Sequence, residues 1–448
     1  MKSSFRIIAS LLLTLTFCIP VMAKDAVPKP SVLITNANIF DGQNEKLTNG
    51  MSVLIEGNKI TKVAKSITAP DGAMVIDAEG RTLMPGLSDA HWHMVQANTT
   101  NNVLLASGLD YITLVAADGA KKLLMRGFTT IRDVGGPVFG LKKAIDEGLI
   151  DGPRIYPSGA IITQTSGHAD FRNPTEVPRE FGRDLIPQEQ IGLMAIADGV
   201  PQVIQRVREN LMKGATQIKL TAGGGVASPS DPLDVRQFTH DELKAAVEVA
   251  ETWNTYVAVH VYTPKGIQEA LRAGVKSIEH GQMMDKKTAK MIAEKGAIVS
   301  MQPFLNDEDA IPFPPGSFQE KKYQEMVSGT DNAYKLCKKY NIKVGFGTDY
   351  QNDPELTLRQ NAQLAKLVRW YEPAEVLKIG TSLNQEIFKM CGPRDPYPGK
   401  NGVVEEGAYA DLILVDGNPL ENINLIADPD KNFVMIMKDG KIYKNTTK

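Results

Sequence analysis

The sequence predicts an α/β protein: a (β/α)8 TIM barrel carrying a small β-sandwich domain built from both chain ends. Three observations predict it. Eight strand-like segments alternate with helical ones through the middle of the chain, short strands with glycine turns fill both ends, and polar residues interrupt apolar strands at matching places. The length, 448 residues, exceeds the roughly 250 that a barrel needs and leaves room for a second module.

The N-terminus comes first. Lys2 and Arg6 precede the apolar run 7-IIASLLLTLTFCI-19, and Val21 and Ala23 hold the small-residue positions of a cleavage site. Residues 1–23 read as a secretory signal peptide cut after Ala23, so the expected location is secreted or periplasmic. The run is shorter than the roughly 20 residues that span a bilayer, so no stable membrane anchor is expected. Phe17 stands where a lipoprotein signal would place a small residue before Cys18.

Short strands follow at 32-VLITNANIFDG-42, 51-MSVLIEGNKITKVA-64 and 73-AMVIDAEGRTL-83, and again at 401-NGVVEEGAYADLILVDGNPL-420 and 433-FVMIMKDGKIY-443. The Asp439-Gly440 pair is a hairpin signal. Residues 24–83 and 401–448 are therefore expected to form the small β domain and residues 84–400 the barrel. The barrel strands are read at 87–93, 128–136, 155–163, 216–224, 256–263, 275–281, 297–303 and 342–349. Helices are read at 102–127 and at 239–253, the latter with a Thr239 N-cap and an acidic first turn.

Composition adds exclusions. Hydrophobic content of 42%, charged content of 23% and a net charge of −2 are ordinary for a globular protein and point to neither nucleic acid nor an anionic membrane as partner. Beyond the signal, Cys337 and Cys391 are expected to be two buried free thiols rather than a disulfide framework.

The polar residues inside the strands carry the function. In 86-GLSDAHWHMVQ-96, Asp89, His91 and His93 share one parity, and an extended strand aims such residues at one point. Two imidazoles so placed suit one metal ion, although alone they could be two polar residues at a strand end. Lys219 lies between Ile218 and Leu220 and faces the barrel axis, where an unpaired lysine is costly. It either reaches a core carboxylate or reacts with CO2 to become an anionic carbamate. His260 in 257-VAVHV-261, His280 in 278-IEHG-281 and Asp349 in 344-VGFGTD-349 also read as inward-facing at the same barrel end. Each alone has an ordinary structural reading, an N-cap in the case of Asp349. Six such residues in one layer predict a metal site.

The set DAHWH, QIKLT, VAVHV, IEHG and GTD resembles the amidohydrolase superfamily, in its binuclear-metal branch with a carboxylated lysine. The phrases 84-MPGLSDAH-91 and 409-YADLILVDGNP-419 are similar to that superfamily too, so the likeness covers nearly the whole chain after the signal. It implies that His91, His93 and Asp349 bind one divalent metal, that His260 and His280 bind a second, and that carboxylated Lys219 bridges them, with zinc as the metal. It implies further that a hydroxide shared by the two metals attacks an amide carbonyl, while Asp349 takes the proton of the attacking water and returns it to the leaving nitrogen.

The segment 163-TQTSGHAD-170 resembles the Xaa-Pro dipeptidase, Xaa-Lys/Arg carboxypeptidase and imidazolonepropionase-like group, whose relatives include ochratoxin-type amidases. In that group His168 would orient or polarise the scissile carbonyl, and Tyr262 would bind the substrate carbonyl or carboxylate. Some dipeptidase-like members place an arginine where this chain has Gln268; Arg272 lies one helical turn later. The loop 223-GGGVASPSDPLDVRQFT-239 reads as a wall or lid of the site, with Arg236 a candidate for an anionic group. The expected substrate is thus a small molecule, a dipeptide or N-acyl amino acid, with cyclic amides, imidazolones or lactones as the alternative. A metal-free binding protein on the same barrel is disfavoured by the full ligand set, and a mononuclear deaminase by Lys219. A homo-oligomer is expected from the resemblance alone.

Overall fold

Parallel strands of only three to six residues make up the middle of the molecule. The computed structural model describes residues 31–173, 175–176 and 184–447, and the expected signal peptide lies outside them. One arc of strands is Leu87–Trp92, Phe128–Asp133 and Arg154–Pro157. The other runs Met194–Ile196, Ile161–Thr163, Ile218–Thr221, Val257–Val261, Ser277–His280, Ile298–Met301 and Val344–Phe346. In Val257–Val261 every residue is buried, as in a parallel strand covered on both faces.

The expected third barrel strand, 155–163, is split in two by Ser158, Gly159 and Ala160. Gly159 takes φ +75°, and a Cβ there would meet Asn210 and Phe139. The half before the break pairs with the second strand (Thr130↔Arg154), and the half after it with the fourth (Leu220↔Ile162). The second half also pairs with Met194–Ile196, a strand that short length hid in the sequence. At the other seam, a side chain stands in for part of the ladder. Asn384 accepts from Phe346 N at 3.0 Å and donates to the carbonyls of Ser88 and Phe346, each at 3.0 Å. Asp349 N donates to His91 O at 3.0 Å, so the first and last strands are tied at the site itself.

Helices lie between the strands. Thr239 caps His240–Thr252 in a reciprocal box with Glu242, as its sequence predicts. The single helix expected over 102–127 is two, Asn101–Ala106 and Leu109–Met125, because Ser107 and Gly108 both adopt extended backbone and Gly108 caps the second. No helix among the described residues is long and apolar enough to cross a membrane.

Strands from both chain ends join in one sheet. Its order runs Lys441–Asn445, Phe433–Lys438, Leu412–Val415, Thr82–Pro85, Ser31–Ile39, Thr48–Glu56, Lys59–Ala64, with Met74–Asp77 beside Ser31–Ile39. Where two facing sheets were expected, the hydrogen bonds follow a single path. The long strand Ser31–Ile39 joins its two parts, pairing first with Met74–Asp77 (Val32↔Met74) and then with Thr82–Pro85 (Asn38↔Thr82). The Asp439-Gly440 hairpin forms as read. Cys337 and Cys391 are free and buried, and burial pushes both thiols up to about 12.

One ion cluster holds the terminal sheet to the strand array. Arg154 donates to Asp411 at 3.1 and 3.2 Å and also to Asp439, and Arg154 and Asp411 are buried. Truncating one partner of a buried pair strands the other charge. Arg154→Ala is therefore expected to lower stability by about 3–5 kcal/mol in chemical denaturation. A change under about 0.5 kcal/mol, the level of an ordinary surface substitution, would show that the cluster does not fasten the two parts.

Candidate metal centre

Five of the six histidines in the chain meet at the C-terminal ends of the strands: His91, His93, His168, His260 and His280. The ring centroids of His91 and His280 lie 4.8 Å apart, those of His260 and His280 4.4 Å, and those of His168 and His260 4.1 Å. The sixth, His240, sits on the surface against Glu269.

Asp349 is the hub. Its Oδ1 lies 3.3 Å from Nε2 of both His91 and His93, and its Oδ2 lies 3.9 Å from Nε2 of His280. Ligand atoms of His91, His280 and Asp349 all fall within 4.8 Å of one another. Burial pushes the Asp349 carboxyl up, but the charges and hydrogen bonds of His91 and His93 outweigh it and hold it well below the usual carboxylate range.

The far nitrogen of each ring is engaged, which decides what the near one offers. His91 Nδ1 donates to Glu279 Oε2 at 2.9 Å, His93 Nδ1 to the Gly135 carbonyl at 3.1 Å, and His280 Nδ1 to Gln302 Oε1 at 2.7 Å. All three therefore turn Nε2 toward Asp349. His260 is reversed: its Nε2 donates to the Gly224 carbonyl at 3.3 Å, which makes Nδ1 the nitrogen with the lone pair. Burial holds His260 and His280 well below their ordinary range, so both are neutral, with a lone pair to give. His280 Nε2 is buried and has no hydrogen-bond partner among the described residues. Two neutral imidazoles with unspent lone pairs beside an ionised carboxylate fit a divalent cation.

Lys219 stands among them. It is buried, and its charge bears on all five of these histidines as well as on Glu279, Asp349 and Asp133. Among the described residues no ion pair holds its ammonium, and burial lowers its pKa to about 8.

The route by which two of these residues arrive differs from the sequence expectation. In an extended strand Ser277 and Glu279 face inward, so His280 should face out. His280 instead takes φ +79°, a left-handed turn that swings its ring inward beside Glu279. Asp349 does the same at φ +52°, three residues beyond the end of its strand. Such non-glycine strain costs on the order of 1–3 kcal/mol per residue and gathers at functional sites.

Four residues escaped the sequence reading. Glu279 accepts from His91 and, bidentately at 2.7 Å, from Arg132, which also donates to the Ala90 carbonyl, Tyr256 and Ser277. Burial pushes the Glu279 carboxyl up, and Arg132 more than reverses it. Gln302 orients His280, and Gln351 donates to Asp349 Oδ1 at 2.9 Å. Asp89, which shares the parity of the histidines, accepts from His91 N, Thr348 Oγ1 and Gln360 Nε2, so it braces two strands.

Around the rim, His168 stacks on His260, and the Tyr262 ring lies 5.0 Å from His260 and 4.8 Å from His280. Tyr262 is buried with Val226, Leu233, Phe304 and Tyr323. Three residues considered for an anionic substrate group point elsewhere. Gln268 donates to Thr288 at 2.8 Å, while Arg236 and Arg272 both pair with Glu269 and are more than half exposed or nearly so.

Fold and site together define an α/β protein with a buried polar cluster at the ends of its parallel strands. The chain belongs to the amidohydrolase family, which it matches over residues 82–443. It is 34% identical over 375 residues to an ochratoxinase of Aspergillus niger, covering 81% of this chain and 75% of that one. A prolidase complexed with N-methylphosphonate-L-proline superposes with a TM-score of 0.85 at 33% identity, over 93% of this chain and 100% of its own. A Xaa-Pro dipeptidase with bound methionine does so at 0.80 and 29%, with the same two coverages.

The outer partners of metal-binding histidines matter measurably. Glu279→Ala is expected to weaken zinc binding about 10–100-fold in competition with a chromogenic chelator. Unchanged affinity in a folded variant would detach Glu279 from the centre.

Proposed function

We propose that this chain is a metal-dependent amidohydrolase that cleaves the amide bond of dipeptides or N-acyl amino acids. The observation that carries the proposal is the convergence of His91, His93, His260, His280, Lys219 and Asp349 at one end of the strand array. We assign His91, His93 and Asp349 to one divalent ion and His260 and His280 to a second, with Lys219, carboxylated on Nζ, between them. Zinc matches these donors best. Divalent ions held there would supply Lewis acidity, lowering the pKa of water and polarising a carbonyl.

The chain's own groups do the rest. A lysine whose pKa is lowered to about 8 has its neutral amine within reach near pH 7; that amine attacks CO2, forms a C–N bond and releases one proton. Asp349 Oδ1 is engaged by Gln351, so Oδ2 is the oxygen free to take a proton from the attacking water and pass it to the leaving nitrogen. An amine leaves poorly without that proton. Tyr262, on the rim, holds the scissile carbonyl, and His168 beside it orients the substrate. The substrate class is supported by the prolidase, dipeptidase and ochratoxinase named above.

A second reading, hydrolysis of cyclic amides, imidazolones or lactones, is favoured by the engagement of Gln268, Arg236 and Arg272 elsewhere. Those substrates need no anchor for a free carboxylate. On either reading we take the two strand arcs, apart from the extra strand Met194–Ile196 beside the split third strand, as one eight-stranded barrel, residues 84–400, closed through that split strand and the Asn384 seam. Residues 24–83 and 401–448 are then the β domain. Export through residues 1–23 is likewise proposed.

The test is a hydrolysis screen of the zinc-loaded protein with metal content measured on the same sample. Xaa-Pro, Xaa-Lys/Arg and Xaa-hydrophobic dipeptides, N-acyl amino acids, cyclic amides and lactones are the substrates. Cleavage of the first four classes is expected, lost on chelation and restored by zinc. Cleavage of cyclic amides or lactones alone moves the assignment to the second reading, and no cleavage of any class contradicts both. Lys219→Ala is expected to lose metal and nearly all activity, partly regained with a short added carboxylic acid. Full activity with two metals in that variant would end the carbamate assignment.

A further inference from the structure

The loop between the lysine strand and helix His240–Thr252 holds three glycines, Gly223 to Gly225, and the buried Asp231. We infer that Asp231 and His168 form a carboxylate–imidazole dyad that fixes the tautomer of His168 and directs its Nε2 at the substrate. The substrate part rests on the function proposed above; the dyad itself does not.

Two unmet polar atoms point to it. His168 Nδ1 and Asp231 Oδ1 are both buried without a hydrogen-bond partner among the described residues, and His168 Nδ1 lies 3.8 Å from Asp231 Oδ2. Buried polar atoms are nearly always paired, and a small rotation of the carboxylate lets each of these satisfy the other. A carboxylate only accepts, so Nδ1 must carry the hydrogen. Nε2 is then a lone pair in the neutral ring, or a second donor in the imidazolium. The neutral ring that donates from Nε2 is excluded, because it would set two lone pairs face to face.

The surroundings are built for this contact. Gln237 grips both partners: its Oε1 accepts from His168 N at 2.9 Å and its Nε2 donates to Asp231 Oδ2 at 3.3 Å. Gly225 N donates to the same oxygen at 2.6 Å, and a Cβ on Gly225 would lie 1.8 Å from His168 Nδ1, so only glycine lets the two side chains meet. Lys322, buried on helix Phe318–Val327, donates to the carbonyls of Gly225, Ser228 and Asp231 at 2.5, 2.6 and 2.9 Å, which pins the loop. Thr163 Oγ1 holds the His168 carbonyl at 2.6 Å, and His260 covers one ring face. The His168 side chain keeps 20% of its surface exposed and Asp231 only 1%, so the open edge is the one away from Asp231. Asp231 is thus a positioning residue acting through His168.

The first test is a long-range 15N–1H spectrum of the full-length zinc-loaded protein labelled on histidine, with H168Q used to assign the His168 signals. A proton on Nδ1 is expected, and a ring protonated on Nε2 alone overturns the dyad. The second is a double-mutant cycle with D231N, H168Q and the pair, on whichever substrate the enzyme cleaves. D231N is expected to lose about 10–100-fold in kcat/KM, mainly in kcat, with zinc content unchanged. In the H168Q background it should cost nothing further, and additive losses would contradict action through His168. Should D231N fail to fold, the wild-type spectrum still decides. Should no substrate be found, the function above fails while the tautomer stands or falls by itself.

Discussion

The carboxylate of Glu279 is where the fold and the candidate site depend on one another. It is fully buried, and such a charge survives in the interior only when paired and hydrogen-bonded. Arg132 supplies the charge, reaching from the second strand to the sixth, and carries Tyr256, Ser277 and the Ala90 carbonyl into the same network. Glu279 Oε2 also accepts from His91 Nδ1. One ion pair therefore braces strands far apart in the chain and, in the same contact, sets the tautomer of a site histidine. A hydrophobic replacement could fill the volume, but it could not hold the imidazole.

The same logic runs through the rest of the cluster. Four of the five histidines there, His91, His93, His260 and His280, have a specific acceptor for one nitrogen: a carboxylate, a side-chain amide or a backbone carbonyl. These acceptors come from four different parts of the chain, so the geometry is a property of the assembled fold. Burial keeps His260 and His280 neutral and Lys219 partly deprotonated, and the neighbouring histidines keep Asp349 ionised against its own burial, the protonation states that the proposed hydrolysis requires. Lys322, Gln237 and Asp231 extend the pattern outward to the rim, where His168 meets the loop after the lysine strand.

What the sequence made legible follows from one periodicity. His91, Lys219 and His260 sit on extended strands, where alternation alone separates inward from outward. His280 and Asp349 were recognised as site residues by an alternation that does not place them; left-handed backbone at φ +79° and +52° does. No local pattern announces such a turn outside glycine. Glu279 and Arg132, 147 positions apart, look like ordinary surface charges until the strands are closed on one another. The segment 155-IYPSGAIIT-163 reads as continuous because its apolar residues flank Gly159 evenly, and only packing against Asn210 and Phe139 shows the break. Asp231 lies in a loop without periodicity, so its partner could be found only in three dimensions.

We propose that these side chains hold two divalent ions with a carboxylated Lys219 between them. A crystal structure of the protein prepared with zinc and bicarbonate, with anomalous data collected on both sides of the zinc absorption edge, tests it directly. Two anomalous peaks are expected, one among His91, His93 and Asp349 and one beside His260 and His280, with continuous density for a carboxylate on Lys219 Nζ between them. A single peak or none, with an unmodified Lys219 paired to a carboxylate of the core, would contradict it.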